Sequence, residues 1–167
     1  GDMEKAVDYL RTKGLAAASR KAGRATSQGI VGSYIHMNGR IGVLVEVNCE
    51  TDFVANTPEF REFVKDTSMH IAAANPLYLD RESVPPDVLE RERGILLHQA
   101  SGSGKPDHVV EKIVEGRLKK FYEETCLLEQ PFIKDDKMTI GELVKSKIAQ
   151  FGENISIRRF CRFEVGV

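Results

Sequence analysis

Tryptophan is absent from this chain, aromatic residues make up only 7% of it, and cysteine occurs three times. Cys49, Cys126 and Cys161 are far apart, odd in number and free of any CxxC pair. That pattern argues against a disulfide framework or a zinc site and points to a reducing compartment. No apolar run approaches the roughly 18–20 residues that a membrane span requires. Residues 1–15 mix charged with apolar groups where a secretory signal would carry an apolar stretch. An excess of one charge is lacking too, with 24 basic against 25 acidic residues and a net charge of −1. Proteins held by phosphates usually show a basic excess, so direct nucleic-acid binding is not expected. One stretch departs from this balance: Arg11, Lys13, Arg20, Lys21 and Arg24 lie between Arg11 and Gln28 with no acid among them. It reads as a solvated basic connector in preference to an RNA contact.

What is present has a clear order. Asp2 is placed to cap a short helix with Ala6, Val7 and Leu10 as its apolar stripe, and Gly14 is expected to end it. So short a helix is marginal alone in water. Residues 1–14 are therefore expected to be the last piece of a small helical domain whose beginning is missing, as Gly1 in place of an initiator methionine also suggests. Residues 15–28 form the connector, and residues 29–167 the core domain. In that core, Asn38-Gly39 is the preferred pair for a type I′ hairpin turn between β-branched flanks. A two-residue loop pairs Met37 with Arg40, which sets Tyr34 opposite Val43, Gly32 opposite Val45 and Ile30 opposite Val47. Alternation then places Ile30, Tyr34, Ile41, Val43, Val45 and Val47 on one face, with His36 at the edge of the core.

Helices supply the cover. Thr57-Pro58 starts one in which Phe60, Phe63, Val64, Thr67 and Ile71 recur at helical spacing, and Asn75-Pro76 stops it. Pro85-Pro86 opens another toward Ser101. A third runs from about Pro106 to Cys126, so the pair predicts an antiparallel helical hairpin. Thr139 and Glu142 predict a capping box, and Gly152 the end of that helix. A closing strand over 155–165 would place Ile157, Cys161, Phe163 and Val165 on one side. The expected fold class is α+β, a small antiparallel sheet of hairpin plus C-terminal strand packed by helices. There is no internal repeat.

Catalytic signatures are thin. The run Gly102–Lys105 imitates a phosphate-binding loop, but Gln99 holds the position of its first glycine and Pro106 that of its Ser/Thr, and it joins two helices. No local pattern pairs a cysteine with a histidine, and Glu50 and Asp52 have no second acid–base partner. No catalytic residue, metal or cofactor is expected. The segment Asn48–Asn56 is different, because it leaves a buried strand and places Phe53 among polar and acidic residues. An aromatic on a short polar segment suits a knob offered to a partner.

This same segment, NCETDFVANTPEF, resembles the Thr-Asp-Phe region of the elongation factor Ts family. Ordered resemblances cover nearly all of the chain: GDMEKAVDYLRTKG to the last helix of the family's ubiquitin-associated-like domain, HMNGRIGVLVEVNCETDFV to its central hairpin, EKIVEGRLKKFYEETCLLEQPFIKDD to a helix and turn, and RRFCRFEVG to the closing strand. The resemblance implies a guanine-nucleotide exchange factor for elongation factor Tu and no enzyme. It carries Thr51, Asp52, Phe53 and Val54 onto the partner contact, with the aromatic ring entering a pocket of the GTPase. It implies the cytoplasm of a bacterium, or an organelle matrix or stroma. The first helices of the amino-terminal domain, a second core half and a coiled-coil insertion of longer members are not seen, so a short form pairing with itself is expected, with Ile157, Cys161, Phe163 and Val165 as the surface. The alternative is a docking module of the translation apparatus that exchanges no nucleotide.

Overall fold

Asn38 and Gly39 reverse the chain with φ of 55° and 89°, the left-handed pair that a twisted hairpin demands. In the computed structural model, which describes the backbone of residues 2–102 and 106–167 and all their side chains except those of residues 4, 10, 11 and 17, this turn joins β1 (Gln28–His36) to β2 (Ile41–Cys49). The register is the expected one, with Tyr34 opposite Val43, Gly32 opposite Val45 and Ile30 opposite Val47. The ladder closes one pair earlier than a two-residue loop would allow, at His36 and Ile41. Met37 also takes a left-handed φ of 51°. His36 is exposed and does not edge the core, because it occupies the last pair before the chain turns. Its ring stacks on Tyr34, whose hydroxyl lies 2.8 Å from Nδ1.

The inner face of β2 is the core: Ile41, Val43, Val45, Val47 and Cys49 are all buried. Helix α3 (Pro58–Ala74) covers it with Phe60, Phe63, Val64, Thr67 and Ile71, as their spacing predicts. The approach is close at Gly32, where a β-carbon would stand 2.4 Å from Val64 Cγ1. Thr67 and Ser68, polar but fully buried, turn their hydroxyls back to the carbonyls of Phe63 and Val64. Helix α6 (Ile140–Phe151) opens with the predicted Thr139–Glu142 capping box and ends at Gly152, with φ 71°. Its Phe151 meets Phe60 edge to face.

Helix α1 (Met3–Lys21) starts at the Asp2 cap. It does not end at Gly14, and the first half of the expected connector, residues 15–21, is helical. A helix-interior glycine costs about 1 kcal/mol, but the alanine-rich stretch after it favours helix. Packing on α6 adds to this, for Gly14 and Ala18 are buried and Gly14 lies beside Ala149.

Strand β5 (Ile155–Glu164) completes an antiparallel sheet of order β1-β2-β5. Here the sequence reading needs correction. Val47 pairs with Ile157, but Glu46 pairs with Arg159, so Arg158 is an extra residue in the ladder. A bulge of this kind reverses alternation beyond it. Ile155 and Ile157 are buried on the core face, whereas Cys161 and Phe163, opposite Leu44 and Gly42, lie on the outer face. Ile157 therefore does not share a side with Cys161 and Phe163. A second, two-stranded sheet joins β3 (Pro131–Phe132) to β4 (Asp135–Thr139).

The chain separates into two compact units, Gly1–Asn75 with Pro131–Val167, and Pro76–Gln130. The second unit is the expected helical hairpin of α4 (Pro86–Ser101) and α5 (Asp107–Thr125). Leu96, Ala100, Val110, Val114 and Leu118 form its buried seam. At its base Arg81 makes a two-pronged bond to Glu129, with distances of 2.9 and 2.7 Å, and lies over the Tyr122 ring. Of the run that imitates a phosphate loop, residues 103–105 lie outside the described residues.

Candidate partner-binding site

Where β2 ends, the chain needs to turn from a buried strand into α3, and two threonines manage the change. Thr51 caps a one-turn helix, α2 (Asp52–Ala55), by accepting the Val54 N–H, and Thr57 caps α3 by accepting the Phe60 N–H. The Thr57 hydroxyl also donates to the Val54 carbonyl at 2.8 Å, so the two caps are tied together. Asn56 donates to the Asp52 carbonyl and accepts from Arg61. Val54 and Ala55 are buried beneath this turn.

With that side of α2 anchored, the other must face solvent. Phe53 is 80% exposed, and Thr51 and Asp52 are exposed beside it. Of the four residues singled out in the sequence, three reach the surface together. Val54 instead points inward and anchors them. The expected polar loop is thus a helical turn.

Two residues outside the motif hold the turn, and the sequence reading missed both. The Glu153 carboxylate accepts the Glu50 and Thr51 backbone N–H groups, each at 3.1 Å, and the Thr51 hydroxyl at 2.6 Å. The Asn154 N–H donates to the Glu50 carboxylate at 2.6 Å, and its side chain donates to the carbonyls of Arg24 and Ala22. That Asn154 N–H and the nearby Arg24 guanidinium hold the Glu50 carboxyl below the usual carboxylate range. Burial pushes the Cys49 thiol up, so it stays protonated and donates to the Thr51 carbonyl at 3.1 Å. A protonated thiol and a committed carboxylate make a poor nucleophile and a poor base. Among the described residues, no group of three His, Cys, Asp or Glu is placed to hold a metal. The arrangement presents the Phe53 ring to solvent.

The profile of the family described as Elongation factor TS matches residues 16–167. This chain belongs to the elongation factor Ts family. Relatives named elongation factor Ts include that of Geotalea uraniireducens, 63% identical over 99% of this chain and 77% of its own length. That of Thermoanaerobacter sp. strain X514 is 64% identical over 99% of this chain and 81% of its own. The Carboxydothermus hydrogenoformans relative is 63% identical, with 99% and 76% covered. Their shared name supports a role in translation elongation. The chain is shorter than these family members. No helix among the described residues is long and apolar enough to cross a membrane.

The other surface singled out in the sequence is the outer face of the three-stranded sheet. Val31, Ile35 and Phe163 are each 67–70% exposed there and Leu44 is 48% exposed, with Cys161 half-buried among them. Toward one end the face turns polar, where Arg159 donates to Glu46 at 2.7 Å and holds that carboxyl low. Val165, just past β5, exchanges bonds with Arg40.

Proposed function

We propose that this chain is a guanine-nucleotide exchange factor that binds elongation factor Tu through Asp52 and Phe53 and promotes release of GDP, without chemistry of its own. The observation that carries the reading is the exposure of Phe53 on a turn fixed at both ends. A large apolar ring held in water by a rigid support is what an interface anchor looks like before its partner arrives. Thr51 and Asp52 supply the polar surround, and Val54 acts from beneath. The exchange follows from linkage: a factor that binds the nucleotide-free GTPase better than the GDP-bound form weakens GDP by the same factor that GDP weakens it. Adding the chain to elongation factor Tu loaded with labelled GDP is expected to speed release well above the spontaneous rate, with no nucleotide consumed. Binding without acceleration would support the non-exchanging docking module instead.

The outer sheet face supports a second part of the reading, a homodimer. Four exposed apolar side chains on one face favour cover, and two copies packed face to face give the simplest closed arrangement. The surface comprises Cys161 and Phe163 with Val31, Ile35 and Leu44, and it leaves out Ile157. Sedimentation at micromolar concentration is expected to show a dimer, which Phe163→Glu should shift toward monomer; a strict monomer from the unaltered chain would refute it. The cytoplasm of a bacterium is the compartment this reading fits, and the relatives reported above are bacterial.

A further inference from the structure

Phe53 owes its direction to a residue far away in sequence. Gly152 ends α6 with a left-handed φ of 71°, and the chain leaves that corner with Glu153 facing the junction between β2 and α2. One carboxylate oxygen accepts both the Glu50 and Thr51 N–H groups, and the other accepts the Thr51 hydroxyl. That hydroxyl oxygen is also the cap of α2, accepting the Val54 N–H at 3.4 Å. Glu153 therefore orients the group that starts the helix. From the other side, Asn154 grips the Glu50 carboxylate. Both β2 and α6 have bonds of their own, since β2 is paired on both edges and the C-terminal end of α6 is closed by the Gly152 N–H donating to the Ile148 carbonyl. The bonds converge where the chain leaves β2 for α2.

We infer that Glu153 is a positioning residue for the exchange contact: by clamping Glu50 and Thr51 it sets the aim of α2, and with it of Phe53, before the partner arrives. This rests on the reading of Phe53 as the contact. Without the clamp, the turn keeps its tie to α3 through Thr57 but samples a wider range of directions, and the cost of ordering it falls on the binding step. The loss then appears in KM for the GDP-bound GTPase and leaves kcat near its original value.

The test uses the whole chain with Glu153→Ala and Glu153→Gln, read by amide hydrogen exchange and by GDP release. In Glu153→Ala the amides of Glu50 and Thr51 are expected to exchange about tenfold faster, with those of α3 unchanged. KM is expected to rise about tenfold and kcat to stay within about twofold. Glu153→Gln should recover most of both, because its carbonyl oxygen still accepts the two N–H groups. Added to Phe53→Ala, the Glu153→Ala change should cost little more, because aim matters only while the ring is present. Unchanged protection at Glu50 and Thr51 would overturn the inference. So would a fully additive loss in the double variant, which would mark a general destabilisation. Normal release by Phe53→Ala would sink the reading of Phe53 itself, whereas impaired Phe53→Ala beside normal Glu153→Ala would sink only the role given to Glu153.

Discussion

Phe53 and Phe63 belong to consecutive helices, yet the first is 80% exposed and the second 2%. Helix α2 is a single turn with only Val54 and Ala55 buried, and its direction is held by polar bonds from Glu153 and Thr57. Helix α3 is seventeen residues long and held by an apolar face against β2. Apolar burial is strong but non-directional, whereas hydrogen bonds contribute less and fix angles. The core helix is therefore held by apolar burial and the short turn by directed hydrogen bonds. Each should fail in its own way when altered.

The sharpest way to break the comparison is at Phe63. Phe63→Ala empties a packed site and is expected to cost about 3–5 kcal/mol of stability, visible as a lower denaturation midpoint, with any loss of exchange following from unfolding. Phe53→Ala should leave thermal melts nearly unchanged and weaken binding to elongation factor Tu by about 2–4 kcal/mol, roughly thirty- to several-hundred-fold. Should Phe53→Ala unfold the chain while Phe63→Ala spares it, knob and core have been assigned the wrong way round. On the core side again, Gly32→Ala drives a methyl into the stiff, buried Val64 and is expected to cost about 1–3 kcal/mol, with GDP release per folded molecule unaffected. The smallest effect belongs to Asp52→Asn, which keeps size and loses charge; release assays should show a weaker complex, but by less than Phe53→Ala.

The comparison also separates what a sequence displays from what it conceals. The hairpin register was legible because the Asn38-Gly39 turn and strict alternation in β2 allow one pairing, and any slip would bury polar groups. Helix α3 was legible from its Thr57-Pro58 start and its spacing. The exposure of Phe53 was legible from an aromatic out of place on a short polar segment. The bond from Thr51 to Glu153 was not, for nothing local to Glu153 names a partner 102 residues earlier. The bulge in β5 did leave a mark: Arg158 and Arg159 stand side by side where the Ile155-Ser156-Ile157 alternation breaks. Reading strict alternation across that pair moved Ile157 to the wrong face. Gly14 misled in the other direction, since a glycine stops a helix only where no neighbouring surface supports its continuation.

The distance in sequence between the turn and its clamp has a consequence for how the chain is made. Residues 41–55 leave the ribosome long before residue 153, and β2 waits for the same late segment to supply its second neighbour, β5. At about 5–20 residues per second, the 102-residue gap between Thr51 and Glu153 corresponds to about 5–20 s of synthesis. During that interval the nascent hairpin carries one unpaired edge of β2, a surface open to mispairing, and the junction into α2 lacks its bonds to Glu153. The bonds between Glu153 and the β2–α2 junction are thus among the last contacts the newborn chain acquires.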